Sequence, residues 1–307
     1  MPNYGVIDLG SNSVRLVIYD VKNTERCPIT TNDFKSLLND KVMAGLASYV
    51  NDGVFSQAGI ERAINVLKGH AKRLKYFNCV RTEVFATAVL RNCINSAEAI
   101  KAIESATGMH ITLLSAREEA HLGFRGARCA NEIDDGTLID IGGGSTELTS
   151  IKGGIDTTGI SIPQGSLSSY AGFVQHILPS QEEGWVIASA FAEKLHSLEN
   201  FADFRAKRLY GIGGSVRAAA KMMATIEEAS ERPRVLTVHS FEHMRNLLEE
   251  DPASFAHFAA RAVPERIHTL MPGCIIAKTV LEELGADSIE ICKHGIREGY
   301  LIERMLQ

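Results

Sequence analysis

The feature that most constrains this chain is a repeat. Val6–Val17 runs VIDLGSNSVRLV and Leu138–Thr149 runs LIDIGGGSTELT, an offset of 132 residues. Five of the twelve positions are identical: Ile7/Ile139, Asp8/Asp140, Gly10/Gly142, Ser13/Ser145 and Leu16/Leu148. Each copy is an apolar run, a small-residue turn and a second apolar run, the pattern of a strand–turn–strand hairpin. One such hairpin near the start of each half implies a duplicated fold. The two copies differ by one charge: Arg15 in the first stands where Glu147 stands in the second.

Segments between the hairpins set the fold class. Tyr4–Leu9, Ser13–Val21, Arg81–Ala88, Ile111–Leu114, Thr137–Ile141, Ser145–Ile151 and Ser288–Cys292 have strand character. Gly59–Phe77, Ser96–Thr107, Ser180–Asn200, Ser215–Met223, Phe241–Glu249 and Gly295–Leu306 have helical periodicity. Ser96 suits an N-cap and Gly108 a C-terminal stop. The stretch from Lys22 to about Ser36 is expected to be looser. Strands interleaved with helices indicate an α/β architecture. A chain of 307 residues suggests two domains of about 120–180 residues each.

Composition excludes several classes. The formal net charge is −5, against a general nucleic-acid binder. No apolar run approaches the roughly 18–20 residues of a membrane span, and no signal peptide is apparent, so a cytoplasmic protein without a membrane partner is expected. The six cysteines, Cys27, Cys79, Cys93, Cys129, Cys274 and Cys292, form no C-x-x-C pair and are expected to be reduced, mostly buried thiols. His239 and His243 have i, i+4 spacing, but Ser240 suits an N-cap, which leaves His239 outside the helix and gives no metal site.

The turns carry the chemistry. Gly10 and Gly142–Gly144 are expected to use positive φ or close backbone approach, and successive N–H groups there form an anion-binding nest. Ser11, Asn12, Ser13, Ser145 and Thr146 add polar side chains. Asp8 and Asp140, ending their strands, would repel a phosphate directly, so a divalent cation or a positioned water is expected between. A third glycine turn, Gly211–Ser215, leads into a helix whose N-terminus can hold phosphate. In LLSAREEAHLGFRGA, Ser115 and Glu118 match a capping box, which leaves Glu119 over on the first helical turn. Arg15 and Arg91 are natural bidentate phosphate ligands.

Together VIDLGSNSVRLVI, ATAVLRN, SAREEAHLGFRG, LIDIGGGSTELT, GIGGSVRAAA and HGIREGYL resemble the exopolyphosphatase/guanosine pentaphosphate phosphohydrolase family over residues 5–301. The resemblance implies a duplicated ribonuclease H-like fold of the actin-like ATPase superfamily, with domains 1–124 and 125–307, an interdomain active-site cleft, and a last helix packing back on the first domain. It implies an exophosphatase acting on inorganic polyphosphate or guanosine pentaphosphate (pppGpp), with magnesium or another divalent cation. By position Glu119 matches the family's catalytic base. Asp140 and Glu147 match its metal-associated acids, and Asp8 is assigned to the metal with them. Asn12, Ser13, Arg15, Arg91, Gly142, Gly143, Gly144, Ser145, Gly213, Gly214 and Ser215 match its phosphate-contacting loops. The family also admits a homodimer. Met43 and Gln164 stand where many members have arginine and leucine, and the chain stops short of the helical C-terminal domains of longer relatives, which leaves room for a short or nucleotide-linked substrate. The competing readings are a small-molecule kinase of the same superfold and a nucleotide-binding switch or filament module.

Overall fold

The computed structural model describes residues 2–22 and 28–307; Cys27 lies outside the described residues. The chain divides into two compact units, Met1–Asn131 with His294–Gln307, and Glu132–Lys293. A break between 124 and 125 would cut the helix Ala116–Arg128, whose buried face includes Leu122, Phe124 and Ala127. The first unit therefore keeps the whole helix.

In the first unit, β1 (Asn3–Leu9), β2 (Ser13–Val21), β3 (Phe34–Met43), β4 (Cys79–Ala86) and β5 (Ile111–Leu113) form a sheet of order β3-β2-β1-β4-β5. The first three strands are antiparallel, and β1–β4–β5 are parallel. Side chains of β2 alternate between two cores. Val14, Leu16 and Ile18 pack in one cluster, and Val17, Tyr19 and Val21 in the other. Covering both faces explains why β1 and β2 carry nearly continuous apolar runs. Phe34–Ser36, expected to be loose, belong to β3, which pairs antiparallel with β2 as far as Val21↔Phe34.

In the second unit, β6 (Gly136–Ile141), β7 (Thr146–Lys152), β8 (Ile155–Ile162), β9 (Arg208–Ile212), β10 (Val235–Thr237) and β11 (Ser288–Ile291) form a sheet of order β8-β7-β6-β9-β11-β10. Its first five members repeat the first sheet: an antiparallel trio, then two parallel additions. The duplication seen in one hairpin thus extends through both sheets, with β10 as an added edge. A single apolar cluster joins this sheet to Gln181–His196, Gly213–Ile226, Val238–Glu250, Pro252–Ala262 and Ile267–Leu284.

Residues 294–307 close onto the first unit by backbone contact. A Cβ on Gly126 would overlap the Gly295 carbonyl, and one on Gly299 would overlap that of Leu122. These glycines let Ile296–Tyr300 approach the helix Ala116–Arg128 more closely than side chains permit. Beyond Tyr300 the helix widens into a π turn over Leu301–Met305.

His70, on the helix Gln57–Tyr76, is fully buried with Nδ1 3.3 Å from Asp40 Oδ2; Arg73 Nε takes the same oxygen at 2.8 Å. Burial lowers the His70 pKa despite Asp40. The unfolded chain therefore binds the proton first, and stability is lost as pH falls from about 6.5 towards the folded pKa. Between pH 7.5 and 5.5 the native protein should lose about 1 kcal/mol more than His70→Gln, measured by urea unfolding. Identical pH profiles would remove His70 from the acid response.

Candidate active site

Each hairpin turn closes with the same bond. Gly10 N–H donates to Ser13 O at 3.2 Å, and Gly142 N–H to Ser145 O at 2.9 Å. Positive φ is not the reason for these glycines: neither Gly10 nor Gly142–Gly144 is in the left-handed region. Close approach is. A Cβ would lie 3.2 Å from Ser13 O at Gly10 and 3.1 Å from Ser145 O at Gly142. The carbonyls of both turns are bound from behind. Asn12 O accepts from Ala44 and Gly45, Gly142 O from Ser166, and Gly143 O from Leu167 and Ser168.

In the first unit the antiparallel register sets Asp8 opposite Arg15. Asp8 Oδ2 also accepts from Arg297 Nη1 at 2.8 Å. Asn12 is 9% exposed, and its Nδ2 is a buried donor without a hydrogen-bond partner. Arg91 Nη1 donates to Glu119 Oε2 at 2.6 Å and to Leu114 O at 3.1 Å, with both side chains mostly buried. The capping box forms as expected: Glu118 N–H donates to Ser115 Oγ, and Glu118 Oε2 accepts from Ser115 N and Oγ. Those bonds hold the Glu118 carboxyl below its usual pKa. Glu119, one residue on, is held by Arg91 instead.

In the second unit the equivalent register sets Asp140 opposite Glu147. Directly opposed residues place their Cβ atoms about 4.5–5.5 Å apart, so two carboxylates share one face. Glu147 is 4% exposed, and its Oε1 accepts from Ser145 Oγ at 2.6 Å and Ser161 Oγ at 2.8 Å. Gly213, at φ +83°, opens the helix Gly213–Ile226, and a Cβ there would overlap Asp140 Oδ1. A Cβ on Gly214 would overlap the Arg266 guanidinium. Burial lowers the Arg266 pKa, while Glu265 and Asp140 pull it back up. Asp140, Glu147, the 213–214 turn and Arg266 therefore form one cluster.

Some expected ligands have other partners. Ser145 Oγ–H is committed to Glu147, and Ser215 Oγ–H donates to Ile141 O at 2.8 Å. The hydroxyl hydrogens at these two positions are therefore committed within the protein. Asp8, assigned to the metal in sequence, carries Arg297 instead. Magnesium uses one or two carboxylates and takes its remaining ligands from water and substrate phosphates. The Asp140–Glu147 pair fits that requirement; among the described residues no three His, Cys, Asp or Glu gather into a closed cage. Of the family departures, Gln164 is buried with both ends of its amide bonded, to Ser169 Oγ, Ile187 O and Lys194 Nζ. Met43, opposite Ser13 in register, has Arg62 Nη2 on its carbonyl at 3.1 Å. His239 proves to be helical, since Thr237 caps Val238–Glu250; the His239 and His243 rings stack at 6.5 Å.

Arg297 and Arg266 were missed as site residues. Arg297 sits in HGIREGYL, which carried resemblance but no role; Arg266 had no local signal.

A five-stranded sheet and a six-stranded sheet whose first five strands keep the same order, each carrying the same Asp-bearing hairpin, define a duplicated α/β fold of the ribonuclease H-like type. The chain belongs to the Ppx/GppA phosphatase family, whose model matches residues 17–307. It is 24% identical to Exopolyphosphatase 1 of Mycobacterium tuberculosis, over 98% of this chain and 88% of that one. Its fold is that of an exopolyphosphatase from Cytophaga hutchinsonii (TM-score 0.84, 23% identity, 99% and 97% of the two chains). It also matches the Ppx/GppA family member of Aquifex aeolicus (TM-score 0.76, 22% identity, 99% and 98%). Among the described residues no helix is long and apolar enough to cross a membrane.

Proposed function

We propose that the protein is an exophosphatase that hydrolyses the terminal phosphoanhydride of inorganic polyphosphate, or removes the 5′ γ-phosphate of pppGpp. The observation that carries this reading is the charge swap between the two hairpins: Asp8 faces Arg15, whereas Asp140 faces Glu147. One turn is built to meet phosphate and the other to meet a cation. Phosphoryl transfer asks for that division, because its catalysis is mostly positioning and charge neutralisation.

In this reading Glu119 accepts a proton from the attacking water, and Arg91 fixes the orientation of its Oε2. Backbone N–H groups of 143–145 and of the Gly213–Gly214 helix start hold phosphate oxygens, and Asn12 Nδ2 and Arg15 add donors from the first hairpin. Asp140 and Glu147 would hold magnesium, which when bound neutralises charge on the phosphate oxygens. Ser145 and Ser161 keep Glu147 oriented. The same reading places the protein in the cytoplasm and gives it no nucleic-acid partner.

A phosphate-release assay over polyphosphate chain lengths, pppGpp and ATP, with and without magnesium, tests it. Free phosphate from polyphosphate or pppGpp is expected, dependent on the metal. ATP-dependent phosphorylation of an added sugar, with no phosphate released from either substrate, would overturn it.

A further inference from the structure

The first hairpin poses a problem that the second does not. A phosphate group approaching the Ser11–Ser13 turn meets the Asp8 carboxylate, and like charges brought together repel. In the second hairpin the register sets two carboxylates, Asp140 and Glu147, opposite each other, and the Arg266 charge acts on Asp140. The first hairpin has one carboxylate, Asp8, opposite Arg15 in register and bonded by Arg297 at 2.8 Å.

Arg297 is firmly placed. Its side chain is 14% exposed and that of Asp8 16%. Burial opposes its charge, but Asp8, Glu298 and Tyr19 outweigh burial and raise its pKa. The adjacent Glu298 is held separately by Tyr19 Oη–H at 2.7 Å and Gly295 N–H at 2.9 Å. Backbone contact at Gly126, Gly295 and Gly299 locks the turn that carries both. A second, independent observation lies at the hairpin tip, where Asn12 presents a buried, unpartnered Nδ2 donor.

We propose that Arg297 is the built-in cation of the first hairpin, neutralising Asp8 so that the Ser11–Ser13 turn receives a phosphate group with no metal ion on Asp8. Arg297 is then a positioning residue acting through Asp8, and the divalent cation belongs to Asp140 and Glu147 alone. This deepens the exophosphatase reading and rests on it for the identity of the anion.

The test reads binding rather than turnover, so it succeeds or fails separately from hydrolysis. Inorganic phosphate and pyrophosphate are titrated calorimetrically into the wild type, Arg297→Met, Arg297→Lys, Asp8→Asn and the double variant Asp8→Asn/Arg297→Met. Arg297→Met should weaken binding at least about tenfold, because Asp8 is left uncompensated. The double variant should recover most of that loss, and lysine, a point charge without the fork, part of it. Mn2+ binding followed by electron paramagnetic resonance should be unchanged in Asp8→Asn and lost in Glu147→Gln. A purely structural role for Arg297 would leave the double variant no better than Arg297→Met, and that result overturns the proposal. So does a tenfold loss of Mn2+ affinity in Asp8→Asn, or a wild type that binds neither anion. Should Arg297→Met fail to fold, Asp8→Asn decides: retained anion affinity supports the proposal, and a tenfold loss overturns it.

Discussion

Glu119→Gln is expected to lower kcat on polyphosphate or pppGpp by about 10²–10⁴-fold, the usual contribution of a positioned general base. The glutamine keeps the size of the side chain and still offers Arg91 an oxygen acceptor, so the helix Ala116–Arg128 and its Ser115–Glu118 cap should persist. KM should move little, because the proposed role is exerted on water rather than on phosphate. Circular dichroism and a thermal melt establish that the variant is folded; steady-state phosphate release supplies kcat and KM. Glu118→Gln is the matched control. Glu118 is tied to Ser115 and Arg304, so its change should cost stability at the helix N-terminus and leave kcat nearly intact. Full turnover in folded Glu119→Gln would remove it as the base.

What the sequence made legible was local. The duplicated hairpin and the capping box depend on residues within a few positions of each other, and both formed as expected. Helix positions were also found, although caps shifted by one to three residues, as at Asn95 and Thr237. Of the two uses expected of the turn glycines, positive φ and close approach, only close approach is used at Gly10 and Gly142. A glycine chosen for positive φ and one chosen for backbone proximity look alike in sequence, and only the fold separates them. Arg297 reaches Asp8 across 289 positions, and Arg266 reaches the Gly213–Gly214 turn from the end of a short 3₁₀ segment. No periodicity reports such pairings. The consequence falls on Asp8, whose strand-end position suggested a metal ligand and beside which the fold sets an arginine.

Gly213→Ala should have the other large effect, because two penalties fall on one methyl group. At φ +83° an L-residue is strained by about 1–2 kcal/mol. The new Cβ would also occupy the space of Asp140 Oδ1, so the carboxylate must leave. Asp140 is paired with Ile212 in the parallel ladder and opposes Glu147 in the antiparallel one, so its backbone is fixed and only the side chain can turn away. Displacing by about 1 Å an oxygen proposed to hold the metal can cost around 10²-fold in rate, and turnover is expected to fall at least that far. The magnesium concentration for half-maximal rate should rise in parallel. Gly214→Ala provides the contrast. Its Cβ meets the far end of the Arg266 side chain and leaves Asp140 in place. That variant should raise KM while leaving the magnesium midpoint where it was. If both alanines shift the magnesium midpoint equally, the metal site is not centred on Asp140; if Gly213→Ala turns over normally, Asp140 is not needed where the fold puts it.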